Sequence, residues 1–176
     1  MHLTHKYGKE PFGKRRYADS RYESTALYVS QFYTDMSTTM TDKLKNVSRS
    51  MFQANLQKWA DNNPEKAAFV TLDVPKTAEY YMTVGFNAGF GVTNDGELVA
   101  LFNDNAPSGM GMRMVQWSKN YGVEYLWCFD GFLSENYKEH GFVVVENVEW
   151  NEEYAPEDWN YEKYGRPNVV KMELQE

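Results

Sequence analysis

The stretch Glu97-Leu98-Val99-Ala100-Leu101-Phe102-Asn103, the loop Asp104 to Ser108 and the run Gly109-Met110-Gly111-Met112-Arg113-Met114 together decide how this chain folds. The first seven residues are apolar enough for a strand inside a sheet. After the loop, Met110, Met114, Trp117 and Tyr121 recur at helical spacing, and Gly122 closes the helix. Glycines at a strand-to-helix turn let a ligand approach the backbone closely. The first N–H groups of a helix lack partners and carry partial positive charge, so they suit phosphate oxygens. Gly109-x-Gly111 is therefore a candidate pyrophosphate cradle, although a plain tight turn gives the same pattern. It has neither the Gly-Lys-Ser/Thr ending of a P-loop nor the third spaced glycine of a dinucleotide fingerprint.

Upstream, Asn94-Asp95-Gly96 marks a hairpin that joins strand 97–103 to a strand over 86–93, where Phe86, Phe90 and Val92 alternate with small residues. Ala68 to Leu72 reads as a further strand. Residues 41–61 read as a helix, with Leu44, Val47, Met51, Leu56, Trp59 and Ala60 forming its stripe. Thr41 or Ser37 would cap its start, and Asn62-Asn63-Pro64 would end it. A first helix over 21–35 precedes it. Downstream come a strand over 123–129, a short helix over 133–140 ending at Gly141 and a strand over 142–148. A long aromatic connection over 149–167 leads to a last strand over 168–174. The order predicts a mixed α/β fold, with an antiparallel start and parallel crossovers later.

The chain has 176 residues, enough for one domain. Aromatic residues reach 16%, which argues against intrinsic disorder. The net charge of −7 repels phosphate backbones, so a general nucleic-acid binder is disfavoured. The charge is uneven. Residues 1–22 carry six basic residues and two acids, a net of +4, which leaves −11 for the rest. The division expected is a basic arm over 1–20, either solvated or docked on an acidic partner, and one domain over 21–176. No apolar stretch suits a membrane span, and the N-terminal residues have no signal-peptide core. The lone Cys128 fits a reducing compartment, so the expected location is cytoplasmic, with a virion left open. His2, His5 and His140 have no metal-ligand spacing with carboxylates, so no metal is expected. Cys128, between Trp127 and Phe129, reads as core more readily than as a nucleophile.

Glu135-Asn136-Tyr137-Lys138-Glu139-His140-Gly141-Phe142 places a tyrosine one helical turn before a Gly-Phe strand entry. Its phenol can donate a proton to a leaving group, or it can simply pack half-buried. At this separation from Gly109-x-Gly111, the two stretches resemble the GNAT superfamily of N-acetyltransferases. That family reads Gln/Arg-x-x-Gly-x-Gly/Ala at the helix start and Tyr-x-x-x-Gly-Phe at the later strand entry. Gly109, Gly111, Tyr137 and Gly141-Phe142 match, and Ala106 stands where the Gln or Arg would be. The segment from Glu153 to Val170 looks like a tail seen in GNAT-like proteins of phages.

The resemblance implies a central sheet of antiparallel N-terminal strands with a splayed parallel pair, flanked by helices. It implies acetyl-CoA as cosubstrate, held by Leu101, Phe102 and Asn103 and by Gly109, Met110, Gly111, Met112 and Arg113. It implies Tyr137 as the acid that protonates the coenzyme A thiolate. For the base that takes the amine proton, Asp130 is the first candidate and Asp104 the second. The acceptor would be an amine, on a small molecule or a protein lysine, under the 149–167 loop. There Tyr154 and Trp159 stand among acids suited to a cation. The rival expectation is a GNAT-shaped scaffold without catalysis that binds a protein partner, is associated with a virion or blocks a host system. A homodimer is left open.

Overall fold

A computed structural model describes residues 44–104, 106 and 108–175. The basic arm, the helix expected over 21–35 and two residues of the loop after strand 97–103 lie outside the described residues. The first sheet has the order β1 (Leu44–Val47), β2 (Ala78–Thr83), β3 (Ala88–Thr93), β4 (Leu98–Asn103), antiparallel throughout. The second contains β5 (Tyr125–Phe129), β6 (Phe142–Val148) and β7 (Val169–Leu174), with β7 between the other two and antiparallel to both. Five helices accompany them among the described residues: α1 (Arg49–Asn62), α2 (Pro64–Ala67), α3 (Met110–Ser118), α4 (Phe132–Lys138) and α5 (Tyr161–Tyr164). The mixed α/β expectation holds. In the second sheet, however, β5 and β6 do not pair as parallel neighbours, because β7 inserts between them.

Helix α1 forms because Phe52, Leu56, Trp59 and Ala60 line one buried stripe and Ser48 caps its start, its Oγ accepting from Met51 N–H at 3.2 Å. The helix expected over 41–61 therefore starts late. Leu44 and Val47 instead pair with Thr83 and Tyr80 along the β2 edge. A three-residue apolar step fits either structure, and the neighbouring strand decided it. Ala68 to Leu72 is not a strand. The N–H groups of Phe69 and Val70 turn back to the carbonyls of Lys66 and Ala67, which continues the helical turn and rules out a ladder. The strand lies at Ala78–Thr83, a stretch assigned no element from the sequence, where Tyr80 and Met82 are buried between less buried neighbours.

Two apolar clusters cover the faces of the first sheet. Phe52, Leu56, Trp59, Tyr80, Met82 and Phe102 pack α1 on one face. Phe90, Leu98, Met110, Met114, Leu126 and Met172 join α3 and the second sheet on the other. Strand β4 passes between them with a bulge. Its register against β3 jumps from Gly91↔Val99 to Gly89↔Phe102, and Ala100 sits at φ 50°. Val99 and Ala100 consequently pack toward the α1 cluster in succession, while Leu98 and Leu101 pack toward the other. A positive φ at a residue with a Cβ costs roughly 1–2 kcal/mol, and a bulge bends its strand and increases its twist.

Candidate active site

The candidate site lies where β4, which carries the bulge, meets β5. Strands β4 and β5 run parallel and touch at one end only, through an isolated bridge between Glu97 and Tyr125. At that vertex the Gly96 carbonyl accepts from both Glu124 N–H, at 2.8 Å, and Tyr125 N–H, at 3.2 Å. Gly96 has φ 87°, and a Cβ there would lie 3.0 Å from Glu124 Cβ, so the vertex closes only around glycine. The Tyr125 hydroxyl donates to Asp95 Oδ2 at 2.8 Å and staples the same end. Beyond it the strands belong to different sheets, and their facing edges diverge unpaired. The splayed parallel pair expected from the sequence is present.

Helix α3 begins beyond the open end of β4. Gly109 precedes it at φ 79°, and Arg113 N–H makes the first bond of the helix, to the Gly109 carbonyl at 3.1 Å. The N–H groups of Met110, Gly111 and Met112 thus have no acceptor within the helix. Met110 is buried and points its side chain into the core, leaving the turn open. Among the described residues, an added Cβ at Gly109 or Gly111 would meet nothing within 4 Å. The backbone conformation accounts for Gly109. No described residue accounts for Gly111, which leaves open space at the helix start that a diphosphate approaching the bare N–H groups would need. The residues present fit that group.

The remaining expected cofactor contacts are less uniform. Leu101 is half-buried, and Phe102 packs against Phe52 and Trp59 on the α1 face. The Asn103 carbonyl accepts from Trp59 Nε1 at 3.0 Å, and its Oδ1 accepts from Ala106 N–H at 3.2 Å, so Asn103 orders the turn with both groups. Met112 and Arg113 are half-buried in the first turn of α3.

Tyr137 is buried on α4, its ring 6.0 Å from that of Phe142. Desolvation, followed by the nearby Cys128 thiol, raises its pKa far above the ordinary tyrosine value. Among the described residues its hydroxyl has no hydrogen-bond partner. Burial holds the phenol neutral with its donor unused, and the same shift makes it a weaker acid than an ordinary tyrosine. Cys128, buried on β5 with its Sγ 3.8 Å from Met172 Sδ, is pushed up to about 12, mainly by burial. Asp130 is exposed at the end of β5 and starts α4. Its Oδ1 accepts from Ser134 Oγ at 2.6 Å and from Gly131 N–H at 3.0 Å.

On the α1 side, a cavity of about 560 Å³ lies where α1, the 67–72 segment and the 154–158 loop meet the end of β5 at Phe129. A smaller one of about 260 Å³ shares Phe129 and Tyr154 and extends to Trp127 and Trp150. Tyr154, 81% exposed, stands at the junction of the two. Trp159 is buried behind it, with its ring 4.6 Å from Phe129 and 5.0 Å from Phe69 and its Nε1 donating to the Gly165 carbonyl. Thus Tyr154 borders the cavities, and Trp159 fixes their wall. Phe69, Phe129 and Asp61 also line this region without a motif to mark them. Their signal lies in contacts between residues up to 95 positions apart, as between Phe69 and Tyr164, which spacing along the chain cannot carry.

No family model matches the sequence, and no curated protein sequence does. Among solved structures, the chain is similar to Rv2747 from Mycobacterium tuberculosis in complex with CoA. That match has 18% identity and a TM-score of 0.44, covering 74% of this chain and 97% of that one. It is also similar to a GNAT family acetyltransferase from Elizabethkingia anophelis with acetyl-CoA bound, at 11% identity and a TM-score of 0.46, over 76% of this chain and 97% of that one. A third is an IAA acetyltransferase from Bacillus cereus, at 11% identity and a TM-score of 0.43, over 74% and 97%. At such identities and TM-scores the likeness is partial. Among the described residues no helix is long and apolar enough to cross a membrane, and no group of three or more His, Cys, Asp or Glu residues is placed to hold a metal ion.

Proposed function

We propose that this protein is an N-acetyltransferase that moves an acetyl group from acetyl-CoA to an amine. The observation that carries this is the one-ended wedge between β4 and β5 with the bare N–H groups of α3 beyond its mouth. Unpaired strand edges offer main-chain donors and acceptors to an amide-bearing arm, as a partner strand would. Main-chain groups of Leu101 and Phe102 and the Asn103 N–H would line that edge, the Asn103 carbonyl being taken by Trp59 Nε1, and a free N–H there would stabilise the negative charge that develops on a thioester oxygen. The N–H groups of Met110, Gly111 and Met112, with the Arg113 guanidinium, hold the diphosphate.

In this reading the acceptor nitrogen attacks the thioester carbonyl carbon directly, the C–N bond forms and the C–S bond breaks. The thiolate takes the Tyr137 hydroxyl proton, and the proton leaving the amine passes to Asp130. Juxtaposition of the two substrates supplies much of the acceleration. Tyr154 lies beside the acceptor, with Trp159 holding the wall behind it.

Calorimetric titration with acetyl-CoA tests this. Saturable heat is expected, and no heat at millimolar ligand would overturn it. A specific observation favours the rival: Ala106 offers no side-chain donor at the loop, and Asn103 is committed to Trp59 and Ala106. A silent titration would turn the assignment to a non-catalytic scaffold that binds a protein partner, with the phage association as its setting.

A further inference from the structure

We infer that the closed end of the wedge is a proton-linked clasp: when Glu97 takes up a proton, the two sheets are joined more firmly there. The inference stands apart from the acetyl-transfer reading and would hold equally for a non-catalytic scaffold.

The join is small. Glu97 and Tyr125 form an isolated bridge between the sheets, and the bonds of Glu124 N–H and Tyr125 N–H to the Gly96 carbonyl complete it. Ionisable side chains crowd this spot from every element that meets there. Asp95, exposed in the hairpin turn, accepts from Thr93 Oγ1 at 2.5 Å and from the Tyr125 hydroxyl at 2.8 Å. Thr93 Oγ1 in turn accepts from Glu97 N–H at 2.8 Å, so the turn that carries Asp95 also fixes the backbone of Glu97. Strand β7 contributes Lys171, whose Nζ lies 4.5 Å from the centre of the Tyr125 ring but is paired with Glu173 at 2.8 Å. Glu124 beside Gly96 and Glu146, in register with Lys171 on β6, add further negative charge.

Two carboxylates therefore share one phenol proton and one lysine already engaged by a third acid. A phenol has a single O–H to donate, and Tyr125 gives its own to Asp95. The surroundings push the pair apart. Hydrogen bonds from Thr93 and then Tyr125 lower the Asp95 carboxyl, whereas burial, followed by repulsion from Asp95, raises that of half-buried Glu97. A carboxyl raised on folding binds its proton more tightly in the folded chain, so its protonation stabilises that chain. The gain is complete below the ordinary glutamate range and is lost as pH rises through the raised value. Asp95 works in the opposite sense. Its carboxylate stabilises the join, and that contribution is lost only as pH falls through its lowered value. Between pH 7 and pH 5, Glu97 is thus the member of the pair that gains protons, and the join tightens.

Hydrogen exchange of the Glu124 and Tyr125 amides, followed by NMR on the full-length protein and corrected for the intrinsic pH dependence of exchange, reads the join directly. Their protection, relative to that of amides between β2 and β3, should be about threefold or more higher at pH 5 than at pH 7. Glu97→Gln, which removes the charge and keeps the shape, should hold the high value at both. A substitution can disturb the hairpin, so carbon-13 titration of the Glu97 carboxyl in the parent protein gives a second reading, with its midpoint expected above the ordinary glutamate value. The proposal is overturned if the relative protection is the same at both pH values, if Glu97→Gln keeps the parent's pH dependence, or if Glu97 titrates at or below the ordinary value.

Discussion

Gly111 separates stability from binding more cleanly than any other position in the site. It is helical and, among the described residues, nothing lies near its absent Cβ, so their packing gains nothing from glycine there. Gly111→Ala should stabilise the fold by about 0.5–1 kcal/mol, because alanine is the better helix former. The same methyl should weaken acetyl-CoA binding, because it stands over the bare N–H groups. Thermal denaturation and calorimetry on one preparation would check that the two effects have opposite signs. Tyr137 permits a similar separation. Its hydroxyl is unbonded among the described residues, so Tyr137→Phe should leave the melting temperature unchanged or slightly raised. Turnover should drop while acetyl-CoA affinity holds. An equal loss of both would remove Tyr137 from the role of acid.

The junction of β5 with α4 combines two duties at Asp130. The carboxylate anchors the helix start through Ser134 and Gly131, and α4 carries Tyr137. Ser134→Ala removes one anchor without touching the carboxylate, and should cost about 1 kcal/mol in denaturant melts, as helix caps usually do. If Asp130 also accepts the amine proton, Asp130→Asn should lower turnover far more than Ser134→Ala does at matched stability. Comparable losses in the two variants would reduce Asp130 to a cap. The bulge in β4 is the companion device, since a bulge bends its strand, and β4 pairs with β5 only at the bridge before it.

Across the folded chain, two buried acids make stability depend on alkaline pH. Cys128 is pushed up to about 12, chiefly by burial, and Tyr137 is raised for the same reason. An unfolded chain releases the thiol proton near its ordinary value of about 8.5 and the phenol proton near about 10. The folded chain keeps both, so it binds more protons than the unfolded one as pH rises. Their contribution to stability is complete below about pH 8.5 and is lost progressively toward about pH 12. Melting temperatures recorded from pH 7 to pH 10.5 should fall, and Cys128→Ala should flatten the slope. A parent slope identical to the variant's would show that the thiol ionises normally. Iodoacetamide at pH 8 should spare Cys128 until the protein unfolds.

Local signals were enough to read the hairpin at Asp95-Gly96, the glycine turn into α3, the Met110, Met114 and Trp117 stripe, and the strands around Tyr137. Each depends on backbone geometry or periodicity within about a dozen residues. Before residue 84 the helix ending at Asn62 was legible in its Leu56, Trp59 and Ala60 stripe, but its start and the strand after it were not. There Leu44 and Val47 fit a helical stripe but bond to β2, and Ala68 to Leu72 has a strand's composition but a helical turn's hydrogen bonds. Gly109, Gly111 and Tyr137 stand out in the sequence because motifs carry them; their roles belong to the proposed function. Local signals did not show the bulge at Ala100, the insertion of β7 between β5 and β6, or the wall of Phe69 and Phe129. Those features follow from which distant segments pack together, and packing energy is a property of pairs that no single stretch of chain contains.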